Sequence, residues 1–126
     1  MREILFRGKR KDNGKWVFGD LEHNGKNVPK WVNGNEIVPE TVGQFTGLTD
    51  KNGKKIFEND IIAADEEYST FENTRKGIVK FYHGEFTSFY GQDLLGRDCY
   101  DPLYSVCKER YVIGNIYDNP ELLEEL

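Results

Sequence analysis

The sequence reads as a mainly β protein: an N-terminal β-hairpin region over residues 1–40, then a small barrel over residues 41–126 that closes with a short helix. Three observations carry that reading. Asn-Gly occurs four times, at Asn13-Gly14, Asn24-Gly25, Asn33-Gly34 and Asn52-Gly53, and this dipeptide meets at least cost the positive φ angles that tight hairpin turns require. Thirteen Gly against one Met fit strands and turns better than helices. From Phe57 onward, short β-prone runs follow one another after one long polar connection. A set of short antiparallel strands like this is best served by a closed or partly closed barrel, which removes exposed edges.

The elements follow in order. Residues 3–7 (EILFR) run in and residues 15–19 (KWVFG) run back around Asp12-Asn13-Gly14. Alternation puts Ile4 and Phe6 on one face and Trp16 and Phe18 on another, and cross-strand pairing predicts these side chains as core. Short extended pieces follow near Leu21, at 28–32 and at 38–41. A strand is expected over 41–49, then the Asn52-Gly53 turn, Lys55-Ile56-Phe57, and a strand over 60–64. Residues 65–76 (DEEYSTFENTRK) are polar and read as a loop. GIVKFY and EFTSFY form a hairpin around His83-Gly84. Residues 91–102 are turn-rich, with Leu94-Leu95 a candidate for one helical turn. Residues 109–117 form a strand broken at Gly114. Asn119-Pro120-Glu121-Leu122-Leu123 then reads as cap, N1 proline, acidic first turn and apolar contact, predicting a short closing helix.

Composition bounds the function. A chain of 126 residues is one domain, or one domain with a small appendage, and is long enough to bury a modest core without disulfide or metal. Net charge is −5, unevenly placed: residues 1–30 carry eight Lys/Arg against four Asp/Glu, the remainder nine against eighteen. An acidic whole argues against sequence-independent duplex binding, which runs on phosphate neutralisation. The basic start can still dock on an acidic surface, including that of another copy. No apolar leader follows Met1 and no run approaches the roughly 18 apolar residues of a membrane helix, so a soluble, cytosolic protein with reduced Cys99 and Cys107 is expected. Their C-x7-C spacing fits no usual zinc pattern, even with His23 and His83 available.

The acids around residue 58 invite chemistry and do not sustain it. Asp50-Lys51-Asn52-Gly53 opens like a calcium loop, but the positions that need an oxygen ligand, glycine and glutamate hold Lys54, Lys55 and Ile61. Glu58 and Asp60 can point to one side, yet no His, Cys or Ser stands near in sequence to join them. The turn reading is favoured: Asp60 caps the turn and Asn59 takes the left-handed conformation, with Asn52, Gly53, Glu58, Asn59 and Asp60 as structural residues. Asp65-Glu66-Glu67 reads as solvated surface. No phosphate-cradling, nucleophile-elbow or metalloprotease motif occurs, so no catalytic residue, metal or cofactor is assigned.

An acidic turn with D-I-I followed by G-I-V-K-F resembles SH3-like barrels. Four blocks resemble a more specific group: MREILFRGKR…DNGKWVFGDL, PETVGQFTGLTDKNGKKIFENDII, the GIVKF strand, and VIGNIYDNPELL. Together they resemble the YopX family of phage and prophage proteins, across nearly the whole chain. The family usually has E-G-D where this chain has Glu58-Asn59-Asp60, a swap that suits a positive-φ turn. The resemblance implies an SH3-like barrel in the C-terminal half, phage or prophage origin and action in the host bacterial cytoplasm. It implies no activity and no functional residues.

Two functions stand side by side. The leading one is a non-catalytic binding or assembly module that forms a homo-oligomer or joins a phage or host protein. The alternative is single-stranded nucleic-acid binding through Arg2, Arg7, Lys9, Arg10, Lys11 and Lys15 beside Trp16 and Phe18, because cations interleaved with aromatics suit single strands. An enzyme built on Glu58 and Asp60 is the reading the residues support least.

Overall fold

The computed structural model describes residues 3–23, 25, 28–64 and 76–125. The polar stretch 65–75 with its run Asp65-Glu66-Glu67, Arg2 and Asn24 lie outside the described residues. The strands are β1 (Phe6–Lys9), β2 (Trp16–Gly19), β3 (Leu21–His23), β4 (Pro29–Val32), β5 (Asn35–Glu36), β6 (Gly43–Thr49), β7 (Lys55–Phe57), β8 (Asp60–Ala63), β9 (Gly77–Tyr82), β10 (Glu85–Gln92), β11 (Asp98–Pro102) and β12 (Tyr111–Asn115). One helical turn, α1 (Leu103–Val106), and 3-10 turns at Pro39–Thr41, Cys107–Glu109 and Pro120–Glu125 complete the order. The protein is mainly β, its sheets are antiparallel, and the chain divides into two compact units, Met1–Gly47 and Leu48–Leu126.

In the first unit β1 pairs with β2, setting Arg7 opposite Phe18, Gly8 opposite Val17 and Lys9 opposite Trp16. On its other side β1 meets the start of β6, with Phe6 opposite Gln44. A second sheet runs β3-β4-β5, its last turn made by Asn33 and Gly34 at φ 50° and 77°. Val32 on β4 and Ile37, just after β5, are the fully buried side chains of this unit. Gly8 lies flat on Ile37, where an added Cβ would stand 3.2 Å from it. Thr41 stitches the unit: its hydroxyl accepts the Lys9 N–H at 2.9 Å and donates to the Val38 carbonyl at 2.6 Å.

The second unit holds a five-stranded sheet in the order β11-β10-β9-β8-β12. Its core is Ile56, Ile62, Val79, Leu103 and Cys107, with Leu48, Phe86 and Val112 packed against it. Each such aliphatic side chain contributes about 2 kcal/mol when taken from water. The outer strands are β11 and β12, and among the described residues no pairing closes the sheet into a barrel.

Several expectations need correction. The first strand begins at Phe6 rather than residue 3. Ile4 and Phe18 are exposed rather than core, because the β1/β2 register turns Phe18 to the face opposite Gly8 and Ile37. Leu94 and Leu95 form no helical turn; they ride the tip of a hairpin joining β10 to the unforeseen β11. Asp93 decides this, since its carboxylate accepts the N–H groups of Leu95 and Arg97, each at 2.9 Å, a local alternative to helical bonding. The closing helix is a 3-10 turn. The Asn119 side chain accepts the Asn115 N–H at 3.1 Å, back towards β12.

Candidate functional site

Strand alternation and the β1/β2 register bring Arg7, Lys9, Trp16 and Phe18 to one face of the hairpin. The Arg7 guanidinium carbon stands 4.5 Å from the centre of the Trp16 ring and the Lys9 Nζ 5.4 Å from it. Two cations therefore share one indole, an attraction worth about 0.5–2 kcal/mol for each depending on exposure. Arg7 is buried, whereas Phe18 keeps 48% of its surface exposed. The arrangement has fixed cations, an aromatic plane and an uncovered phenyl ring, which suits contact and provides no nucleophile.

The rest of the basic stretch turns inward on itself. Arg10 grips Asp12 with two parallel bonds, Nε to Oδ1 at 3.0 Å and an Nη to Oδ2 at 2.7 Å. That hydrogen bond from Arg10 holds the Asp12 carboxyl below the ordinary carboxylate range. The Lys11 Nζ lies 3.5 Å from a Glu36 carboxylate oxygen. These four residues line a shallow depression of about 260 Å³ in which two cations face two acids. Lys15 flanks the turn in an exposed position, its backbone N–H given to the Asn13 Oδ1 at 2.9 Å. So the structure gathers Arg7, Lys9 and Trp16, sets Arg10 and Lys11 against acids, and leaves Lys15 at the tip.

Asp50 and Asp60 of the second unit are fastened to backbone. Asp60 is buried and its Oδ2 accepts the Phe57 N–H at 2.8 Å. Asn59 sits at φ 70°; its N–H donates to the Val79 carbonyl at 2.8 Å and its side-chain amide to the Tyr117 hydroxyl at 3.1 Å. Glu58 is half-buried beside it. Gly53 takes φ 80°, and the Asn52 N–H donates to the Asp50 carboxylate at 2.9 Å.

One grouping was not visible in the sequence reading. Tyr82 at the end of β9, His83 in the turn and Tyr100 on β11 bring their rings together, with centroids 4.1 Å apart for Tyr82–His83 and 4.9 Å for Tyr82–Tyr100. Beside them the Asp98 carboxylate accepts the Tyr82 hydroxyl at 2.9 Å and the Gln92 amide at 3.1 Å. Those two bonds, Gln92's first, hold the Asp98 carboxyl low, and the same Asp98 bond pushes the Tyr82 hydroxyl up. The only signal in the sequence is His-Gly at a turn where this chain elsewhere writes Asn-Gly.

Among the described residues no group of three or more His, Cys, Asp or Glu stands together to hold a metal, and both cysteines are free thiols. No helix among them is long and apolar enough to cross a membrane. The family model described as YopX protein matches residues 5–124, across both units. The chain belongs to the YopX family. No curated protein matches it. Among solved structures, this YopX protein is similar to protein EF1440 from Enterococcus faecalis, at TM-score 0.65 and 23% identity over 98% of this chain and 99% of that one. That likeness carries the fold. The YopX match takes in the whole hairpin face and the tyrosine cluster, so both lie within the family's own extent.

Proposed function

We propose that this YopX protein is a non-catalytic binding and assembly module of phage or prophage origin, working in the host bacterial cytoplasm, and that it associates with further copies of itself through the N-terminal hairpin. The observation that carries the reading is the face where Arg7 and Lys9 stand over Trp16 beside exposed Phe18. Aromatics with arginine are the residue types that anchor protein interfaces. The acidic remainder of the chain offers the basic start a complementary surface. We read the second unit as an SH3-like barrel that scaffolds this contact. Its strand order, the long connection between β8 and β9, and the helical turn before β12 support that reading, although such a barrel serves many functions.

Light scattering over a concentration series tests the assembly. A species larger than the monomer is expected, and Trp16→Ala weakens it. A monomer at every concentration overturns the reading.

Single-strand nucleic-acid binding by the same hairpin is the second reading, supported by cations beside an indole. The pairing of Arg10 with Asp12 and of Lys11 with Glu36 weighs against it, because charge spent on acids is less available to phosphates. Binding to labelled single-stranded RNA or DNA that falls steeply with salt supports this reading; none at low salt removes it.

A further inference from the structure

We infer that the Tyr82–His83–Tyr100 ring cluster with Asp98 is a receiving site for a cationic side chain, and that its occupant is Lys15 of a second copy of this chain. The inference rests on the proposed reading of the protein as a self-assembling module.

The turn before β10 carries a histidine where three other corners among the described residues carry asparagine. Asn33-Gly34 and His83-Gly84 make the same kind of corner, at φ 50° and 77° and at φ 52° and 82°. Asparagine is the favoured first residue of such a corner, and this chain uses it at three other Xaa-Gly corners among the described residues, at 13, 33 and 52. Histidine also enters this left-handed conformation more readily than most residues, and at position 83 it brings a ring where asparagine would bring none.

Tyr82 stands edge-on to both neighbours, at interplanar angles of 81° to His83 and 67° to Tyr100. His83 and Tyr100 are tilted by only 32° with centroids 6.3 Å apart. Three rings gathered at these distances place aromatic surface beside one carboxylate, and aromatic faces attract organic cations. Asp98 adds a carboxylate, anchored by the Tyr82 hydroxyl and the Gln92 amide. The same sheet already shows this chemistry within itself, where the Lys80 Nζ stands 4.5 Å from the centre of the Phe89 ring.

Residues 1–30 carry an excess of four positive charges and the remainder an excess of nine negative ones. Within the hairpin, Arg10 faces Asp12, Lys11 faces Glu36, and Arg7 and Lys9 stand over Trp16. Lys15 is exposed beside the turn, where a long flexible stem can reach a neighbouring molecule.

Sedimentation of the full chain over a concentration series tests the pairing. Tyr100→Ala, Asp98→Asn and Lys15→Glu are each expected to weaken self-association about tenfold. Tyr100→Phe, which keeps the π face, retains it, and this arm stands even where Tyr100→Ala fails to fold. Lys15→Arg, which keeps a cation for the π faces, retains association where Lys15→Glu weakens it. If Trp16→Ala weakens association while Tyr100→Ala and Lys15→Glu leave it unchanged, the hairpin reading stands and this inference falls. If Tyr100→Ala weakens it but Lys15→Glu does not, the occupant is another cation and the pairing is overturned.

Discussion

Asp50 holds Val112 across 62 positions of sequence: its Oδ2 accepts the Val112 N–H at 2.9 Å. Its Oδ1 accepts the N–H groups of Asn52 and Lys54, each at 2.9 Å. One buried carboxylate thus shapes the turn between β6 and β7 and fastens it to the edge of β12, where the Lys51 N–H also donates to the Arg110 carbonyl at 2.9 Å. An edge strand needs such cover.

Asp50→Asn is accordingly expected to lower stability by about 1–3 kcal/mol, since a carboxamide keeps one acceptor oxygen where three amides converge. Denaturant titration of the two proteins reads this as a shifted midpoint at unchanged slope. A midpoint equal to wild type contradicts the anchoring role.

The same group sets an acid dependence. Burial alone would raise the Asp50 carboxyl, and the amides of Val112, Lys54 and Asn52 more than offset it, so it ionises below the ordinary aspartate range. A depressed folded value means the unfolded chain takes the proton first. The stabilisation is therefore complete above the unfolded pKa of about 3.9 and is lost as pH falls through the folded value. Between pH 6 and pH 3 the urea midpoint of wild type is expected to fall more than that of Asp50→Asn. Parallel decline of the two places the acid sensitivity elsewhere.

Position 59 tests backbone strain separately from side-chain bonding. Gly and Ala variants both lose the amide bond to Tyr117, so they differ in what φ 70° demands of a Cβ. Asn59→Gly is expected to be about 1 kcal/mol more stable than Asn59→Ala, read as the gap between their thermal midpoints. Equal midpoints indicate that the turn relaxes.

Turn chemistry is what the sequence displays most openly. The positive φ angles at Gly14, Asn33, Gly34, Gly53, Asn59 and Gly84 all fall where Asn, Gly or a short polar cluster marks a corner, because those residues act on their own backbone. Burial was harder to read. Phe18 and Leu94 have core-like side chains and are exposed; the outcome depends on register at one site and on Asp93 at the other. The stretch 98–109 carries a strand and two helical turns without strict period 2 or 3.6, so its structure comes from packing Leu103 and Cys107 into the core. The meeting of Tyr82 with Tyr100 needs the pairing of three strands, which no local pattern states.

Gly77 and Ser88 supply a coupled test of sheet packing. A Cβ added at Gly77 would stand 1.9 Å from the Ser88 Oγ and 3.2 Å from the Ser88 Cβ. Both residues are buried, on the neighbouring strands β9 and β10. Gly77→Ala must therefore displace the hydroxyl, and overpacking of this kind costs about 1–3 kcal/mol. Ser88→Ala removes the offending oxygen and leaves a contact that a shift of a few tenths of an ångström relieves. The double variant is expected to be more stable than the sum of the two single effects predicts, with a coupling of at least about 0.5 kcal/mol. Additive effects would show that the strands part at Gly77 and that the close approach of β9 to β10 is not held by the sheet.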